Sequence, residues 1–161
     1  MAHLRQWVSW AQRYDRPLAV ALVDVDDFKS INDNHGHAVG DMALRVIADA
    51  IGKAVRGSDM VARYGGDEFA IVAPETDAVE LEKLLERIVN TVHDTDLKDW
   101  DSSRIRLSVS VGGAVASGHL IVEPDADRLL AAADMSLYGA KNAGKDRHGE
   151  TITLGEEPIT N

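Results

Sequence analysis

The stretch PLAVALVDV, Pro17 to Val25, limits the fold more than any other part of the chain. It is apolar almost without interruption and lacks the alternation of a strand with one wet face. Such a run reads as a strand buried on both faces, inside a sheet that carries helices. Other segments supply the helices. Residues 3–14 read as a short one. Ala43, Val46, Ile47, Ala50, Ile51 and Ala54 have helical spacing over Ala43 to Val55, and Leu81, Leu84, Leu85, Ile88, Val89 and Val92 form a second stripe. Asp125 is placed to cap a last helix, with Leu129, Leu130, Ala133 and Leu137 inward and Gly144 as its stop.

Further strands follow from local signals. DMVARY and DEFAIVA flank Gly65 and Gly66, which predicts an antiparallel hairpin with the glycines at positive φ in a two-residue turn. Ile105, Leu107, Val109 and Val111 alternate with Arg104, Arg106, Ser108 and Ser110, as in a half-buried strand. A short strand is expected near Thr151 to Leu154, and Asp94 to Ser103 reads as a loop. The order is αβαββαβαβ, which predicts one mixed sheet with packed helices. Without repeats, low-complexity segments or linkers, residues 1–161 read as one domain.

Bulk properties exclude several classes. A chain of 161 residues is long enough for a real core. It has no cysteine, so no disulfide framework or thiolate metal site, which fits a reducing compartment. The longest apolar run, near Leu18 to Val23, is far too short to span a bilayer, and no signal peptide is visible. A net charge of −10 argues against a nucleic-acid polymer as partner.

Two acidic clusters stand at strand ends, where open α/β sheets place ligands. Asp24, Asp26 and Asp27 close the first buried strand, and Asp67 and Glu68 follow the Gly-Gly turn. Carboxylates brought face to face repel unless a cation lies between them, and a few hard oxygen ligands suit Mg²⁺. Spacing alone leaves a second reading open, in which the first cluster caps a helix and the second is a solvated turn. Alternation puts Asp67 and Glu68 on opposite faces, so at most one points naturally at Asp24.

The wording of four segments goes further. RYGGDEF (Arg63 to Phe69), VDVDDFKSINDNHGHAVGD (Val23 to Asp41), SVSVGGAVA (Ser108 to Ala116) and DMSLYGAKNAGKD (Asp134 to Asp146) resemble, in order, the segments of the GGDEF family of diguanylate cyclases. The resemblance implies an α/β fold of the α+β type: a ferredoxin-like βαββαβ palm core with added elements, similar to nucleotidyl cyclases and polymerases. It implies condensation of two GTP into cyclic di-GMP with release of two pyrophosphates. Two Mg²⁺ ions per half-site are implied, with Mn²⁺ as a substitute, held by Asp24, the Val25 carbonyl and Asp67. Asp67 is also the implied base for the ribose 3′-hydroxyl, with Glu68 in support.

Asn32 and Asp41, which on their own read as turn or cap residues, become the guanine contacts, with His37 as an added nucleotide contact. Lys141 and Lys145, read as one helical turn apart on one face, are assigned to the triphosphate. The backbone amides of Phe28 and Lys29, at a helix start, are assigned to its outer phosphates. Arg56 and Asp59 match an inhibitory product site that binds cyclic di-GMP, with Arg87 completing it. Joining two GTP implies a transient homodimer. A cytoplasmic location without direct membrane contact is implied, and any tether belongs to a longer parent.

One departure stands out. Family members usually begin with a segment like DxLTGLxNR ahead of the first helix, whereas this chain opens at MAHLRQWVSWAQRYDRP. The expectation is a domain lacking that segment and any regulatory input domain. The alternative to an active cyclase is an inactive module that binds GTP or cyclic di-GMP as a signal.

Overall fold

The computed structural model describes residues 2–98, 104–116 and 126–154. Its elements are α1 (Ala2–Tyr14), β1 (Leu18–Val25), α2 (Phe28–His35), α3 (His37–Ala54), β2 (Met60–Arg63), β3 (Glu68–Pro74), α4 (Ala78–His93), β4 (Asp96–Lys98), β5 (Arg104–Arg106), β6 (Val109–Ala116), α5 (Ala126–Asn142), β7 (Arg147–His148) and β8 (Ile152–Leu154). The main sheet runs β2-β3-β1-β6-β7, with β8 also on β6. Its first four strands pair antiparallel, and β7 and β8 pair parallel with β6. This is the mixed sheet that the sequence predicts, with the expected βαββαβ order at its centre.

The apolar run of β1 is central and covered on both faces. Ala19, Ala21, Val23 and Val25 pack in a core with α3 and α4. Leu18, Val20 and Leu22 pack in a second core with α1 and α5. Antiparallel strands usually keep one face in water; here two helix layers remove that freedom. Among the described residues no helix is long and apolar enough to cross a membrane.

The sequence reading needs five corrections, the last two at the site. The expected loop at 94–103 contains β4, which pairs with β5; the buried partners Leu97 and Ile105 are single apolar residues among charges, too short a pattern to register as strands. The strand expected over 104–111 breaks at Leu107–Ser108, and β6 is buried along its whole length rather than on alternate residues. Ser110 can be buried because its hydroxyl donates to Asp26 Oδ1 at 2.7 Å. A separate helix, α2, precedes the Ala43 stripe, joined to α3 by Gly36 at φ 83°. The fourth correction concerns the Gly-Gly turn and is given with the site. The expected cap Asp125 lies outside the described residues.

Gly112 sets the distance between β6 and α5. A Cβ there would overlap backbone atoms of Ala133 and Leu137, so the helix axis lies directly on the strand. The same contact fixes the height at which the end of α5 meets the end of β1. Gly112→Ala is expected to lose stability toward the upper end of the about 1–3 kcal/mol usual for overpacking, because backbone cannot yield as a side chain can. Gly52→Ala, in an open position on α3, should instead gain about 1 kcal/mol of helix propensity. Urea denaturation of the two variants checks the contrast, and equal midpoints would contradict it.

Candidate active site

β1 ends between two partners. Asp24 is opposite Glu68 on β3 and Ser110 on β6, and the Val25 N–H donates to the Asp67 carbonyl at 3.1 Å. Register thus puts Glu68 on the face of Asp24, while the backbone bond brings in Asp67. Both acids of the turn reach the corner, where alternation alone predicted one. The turn itself differs from expectation. Tyr64 to Asp67 all lie between the strands, Tyr64 N–H and Gly65 N–H both donate to the Glu68 carbonyl, and neither glycine has positive φ. Arg63 explains the wider loop: its guanidinium donates to the carbonyls of Gly65 and Gly66. The sequence reading missed that role, since an arginine before a glycine pair carries no signal of its own. The Glu68 carboxylate folds over Gly65. With Lys141, Asp134 and Tyr138 it also borders an open cleft of about 270 Å³ against α5.

Lysines meet these acids from α5 and the turn after it. Lys141 Nζ lies 2.8 Å from Asp24 Oδ2, and Lys145 Nζ lies 2.7 Å from Asp27 Oδ1. They do not share a helix face as predicted. The helix ends at Asn142, and Gly144, Lys145 and Asp146 all take positive φ, at 115°, 61° and 49°. The left-handed run turns Lys145 back toward β1. Its hydrogen bond to Asp27, with the nearby charges of Asp27, Asp26 and Asp24, raises the Lys145 pKa against some desolvation.

Asp26 explains how that turn is held. It is 7% exposed, and its carboxylate accepts from Ser108 Oγ at 3.0 Å, Ser110 Oγ at 2.7 Å and the Asp146 N–H at 2.9 Å. A left-handed non-glycine residue costs on the order of 1–3 kcal/mol, so Lys145 and Asp146 need support. The exposed Lys145–Asp27 pair is screened by solvent and adds little. The Lys145 N–H donates to the Ala140 carbonyl at 3.2 Å and Arg147 Nε donates to the Lys145 carbonyl at 3.1 Å, and Asp26 adds a buried anchor from β1. Asp146 is tied a second time through its Oδ2, 3.0 Å from His93 Nδ1 on α4. The sequence reading placed Asp26 in the acidic cluster and left it, like Asp146 and His93, without a role.

The nucleotide-facing candidates gather around α2 and α3. Gly36 folds the two helices together, and the Asn32 side chain lies against Gly40, in the space a Cβ there would fill. Asn32 thus reaches the residue before Asp41, which is exposed, as is His37 at the first turn of α3. The sequence reading missed Gly40, whose lack of a side chain gives Asn32 its place. Phe28 and Lys29 open α2 directly after Asp27, and their N–H groups are the first two of the helix, which have no acceptor within it.

The second constellation surrounds the end of α3. Arg87 Nε on α4 donates to the Ala54 carbonyl at 2.5 Å, and Arg56 pairs with Glu80 at 3.3 Å. Asp59 accepts from the Arg56 N–H at 2.7 Å and closes the turn between them. The three predicted residues are brought together, with the Asp59 carboxylate engaged in its own turn.

The oxygens gathered at the first corner, on the carboxylates of Asp24 and Asp67 and the backbone of Val25, are of the hard kind that suits a divalent cation. The pKa of Asp24 is raised, by desolvation first and also by Asp67 and Asp26, and Lys141 only partly offsets this. Among the described residues no three acidic or histidine side chains form a ready metal cage. Mg²⁺ keeps waters and shares substrate phosphates, so it does not require such a cage.

The chain is similar to known proteins over most of its length. Residues 1–147 match the family model described as "Diguanylate cyclase, GGDEF domain". The chain is 45% identical over 140 residues to diguanylate cyclase DosC of Escherichia coli K12, covering 87% of this chain and 30% of DosC. It is 38% identical to the probable diguanylate cyclase DgcF of the same strain, covering 88% of this chain and 45% of DgcF. The chain therefore spans less than half the length of these relatives. The GGDEF domain of DgcB from Caulobacter crescentus, solved in complex with c-di-GMP, superposes with a TM-score of 0.83 at 29% identity, over 94% of this chain and 86% of that one.

The Asp24 shift yields a stability prediction. A carboxyl whose folded pKa is raised contributes stability that is full below its ordinary value near 3.8 and lost as pH rises through the folded value. At pH 7 the charged Asp24 is therefore a net burden when no cation is bound. Asp24→Asn should raise the urea midpoint in EDTA at pH 7, since the partly exposed Lys141 can hydrate. A lowered midpoint would contradict the assignment of Asp24 as a strained carboxylate.

Proposed function

The chain belongs to the GGDEF domain family of diguanylate cyclases, and on that premise we propose that it condenses two GTP into cyclic di-GMP and two pyrophosphates. One observation carries the reading: at the end of β1, Asp24 and Asp27 each hold a lysine, beside the Asp67 turn. Acids for cations and lysines for phosphates stand in one corner, each sign neutralised by the other until a nucleotide with its metal separates them.

The family resemblance assigns the roles. Asp24, the Val25 carbonyl and Asp67 would hold two Mg²⁺ ions, for which Mn²⁺ would substitute. When bound, these ions neutralise phosphate charge and favour ionisation of the ribose 3′-hydroxyl. Asp67 accepts the proton of that hydroxyl. The ribose 3′-oxygen then forms the bond to the α-phosphorus of the second GTP, and the bond to pyrophosphate breaks; the second GTP does the same in return. Lys141, Lys145 and the amides of Phe28 and Lys29 hold the triphosphate. Glu68 supports the corner from the Asp24 face. Asn32 and Asp41 read the guanine edge, with His37 beside them.

A site that holds one GTP makes half of the product, so two copies meet across their substrates as a transient C2 dimer. Arg56, Asp59 and Arg87 are the proposed product site, gathered at the end of α3 and the facing side of α4.

The direct test is incubation with Mg²⁺ and GTP over a range of protein concentrations, with products separated by chromatography. Cyclic di-GMP should form at a rate rising faster than linearly with protein. Asp67→Asn should abolish product while leaving the urea midpoint nearly unchanged, and wild-type turnover by that variant would remove Asp67 from the chemistry.

Guanine reading has a sharper test. Gly40→Ala pushes only the movable amide of Asn32, and gains about 1 kcal/mol of helix propensity. It should therefore melt at or above the wild-type temperature while the KM for GTP rises about tenfold, the loss expected for a displaced hydrogen-bonding group. An unchanged KM would place the base elsewhere.

A further inference from the structure

We propose that Asp26 is a positioning residue for phosphate binding: it fixes Lys145 through the backbone N–H of Asp146. The inference rests on the reading of Lys145 as a triphosphate ligand. Its own evidence is the hydrogen bonding of a buried carboxylate to which no step of the reaction gives work.

Asp26 lies two residues after Asp24 and close enough to raise its pKa, yet its carboxylate is turned into the fold, onto Ser110 and Ser108. Oδ1 is taken by Ser110 Oγ, and Oδ2 by Ser108 Oγ and the Asp146 N–H. Each oxygen accepts from donors inside the fold, which gives this acid a structural task of its own. What it grips is the end of β6 on one side and the left-handed turn Gly144–Asp146 on the other. The two serines hold the carboxylate in one orientation, and the Asp146 N–H then has one place to go. Lys145, the residue before, is set by the same bond at φ 61°, with its ammonium beside Asp27.

A free turn at this point would relax toward ordinary φ, and Lys145 would swing off β1. The Lys145–Asp27 pair is too exposed to prevent this, at 43% and 70% side-chain exposure. The His93–Asp146 contact is also exposed and holds only the side chain of Asp146. The backbone also holds the turn, through the Lys145 N–H to the Ala140 carbonyl at 3.2 Å and Arg147 Nε to the Lys145 carbonyl at 3.1 Å; Asp26 adds a buried carboxylate acceptor that ties it to β6.

The test is a double-mutant cycle read by calorimetric binding of a non-hydrolysable GTP analogue with Mg²⁺. Asp26→Ala and Lys145→Ala should each weaken binding about tenfold, and the double variant should be no weaker than the worse single one. Asp26→Asn should recover most of the affinity, because one amide oxygen can still accept from Asp146 while the amide nitrogen donates to Ser110. His93→Ala should stay within about twofold of wild type. If Asp26→Ala does not fold, Ser110→Ala removes the 2.7 Å donor at nearly constant volume. It should cost about threefold, a loss that vanishes in the Lys145→Ala background. Losses that multiply in either double variant would overturn the inference, as would wild-type affinity in Asp26→Ala. A wild-type chain that binds no analogue would overturn the proposed function as well.

Discussion

The active end depends on one constraint, the locking of β1 on both edges and both faces at once. β3 and β6 hold its register residue by residue. Two apolar cores, one under α3 and α4 and one under α1 and α5, hold its orientation. A slip of one residue would exchange the two sets of side chains and carry Asp24 from the α5 side to the opposite one. A strand so constrained can end in Asp24, Val25, Asp26 and Asp27 and send each acid to its own partner. Asp24 meets Lys141, Asp26 turns into the fold toward β6, and Asp27 meets Lys145.

Missing side chains set the distances between elements at two places. Gly112 lets the backbone of α5 rest on β6, which brings Lys141 to the level of Asp24. Gly40 leaves a notch on α3 that the Asn32 amide enters. The two positions differ in what a methyl group would displace. At Gly112 it would meet backbone, which carries the whole helix with it. At Gly40 it would meet the tip of a side chain, which can move and take only a contact with it. The first position belongs to the fold and the second to the site.

Electrostatics at this end oppose folding and favour binding. Asp24 is desolvated beside two other acids, and Lys141 offsets only part of that. Lys145 and Asp146 occupy backbone conformations that need outside support. Such local cost is common where a structure is arranged for a ligand rather than for itself. The cost is contained because Asp26, the one deeply buried acid of the cluster, accepts from three internal donors.

Much of this was legible in the chain. The uninterrupted apolar run already marked β1 as central, because burial on both faces leaves no polar position in a strand. The stripes of α3 and α4 were legible for the same reason, since a helix repeats its buried face several times over. Words such as RYGGDEF and AKNAGK pointed to the family, and so to Asp24, Asp67 and the two lysines. Tertiary structure decided what depends on partners distant in sequence. Asp26 and Asp27 look alike in the chain, yet one is buried by serines more than 80 positions away and the other is exposed to meet Lys145. Arg63 reads as an ordinary strand end until its guanidinium is seen across the glycine carbonyls. The β4–β5 pair has one buried apolar residue per strand, so its periodicity is too short to show. Local patterns record which face of an element is buried; the partner of each polar group is chosen by the packing of elements, and no local pattern carries it.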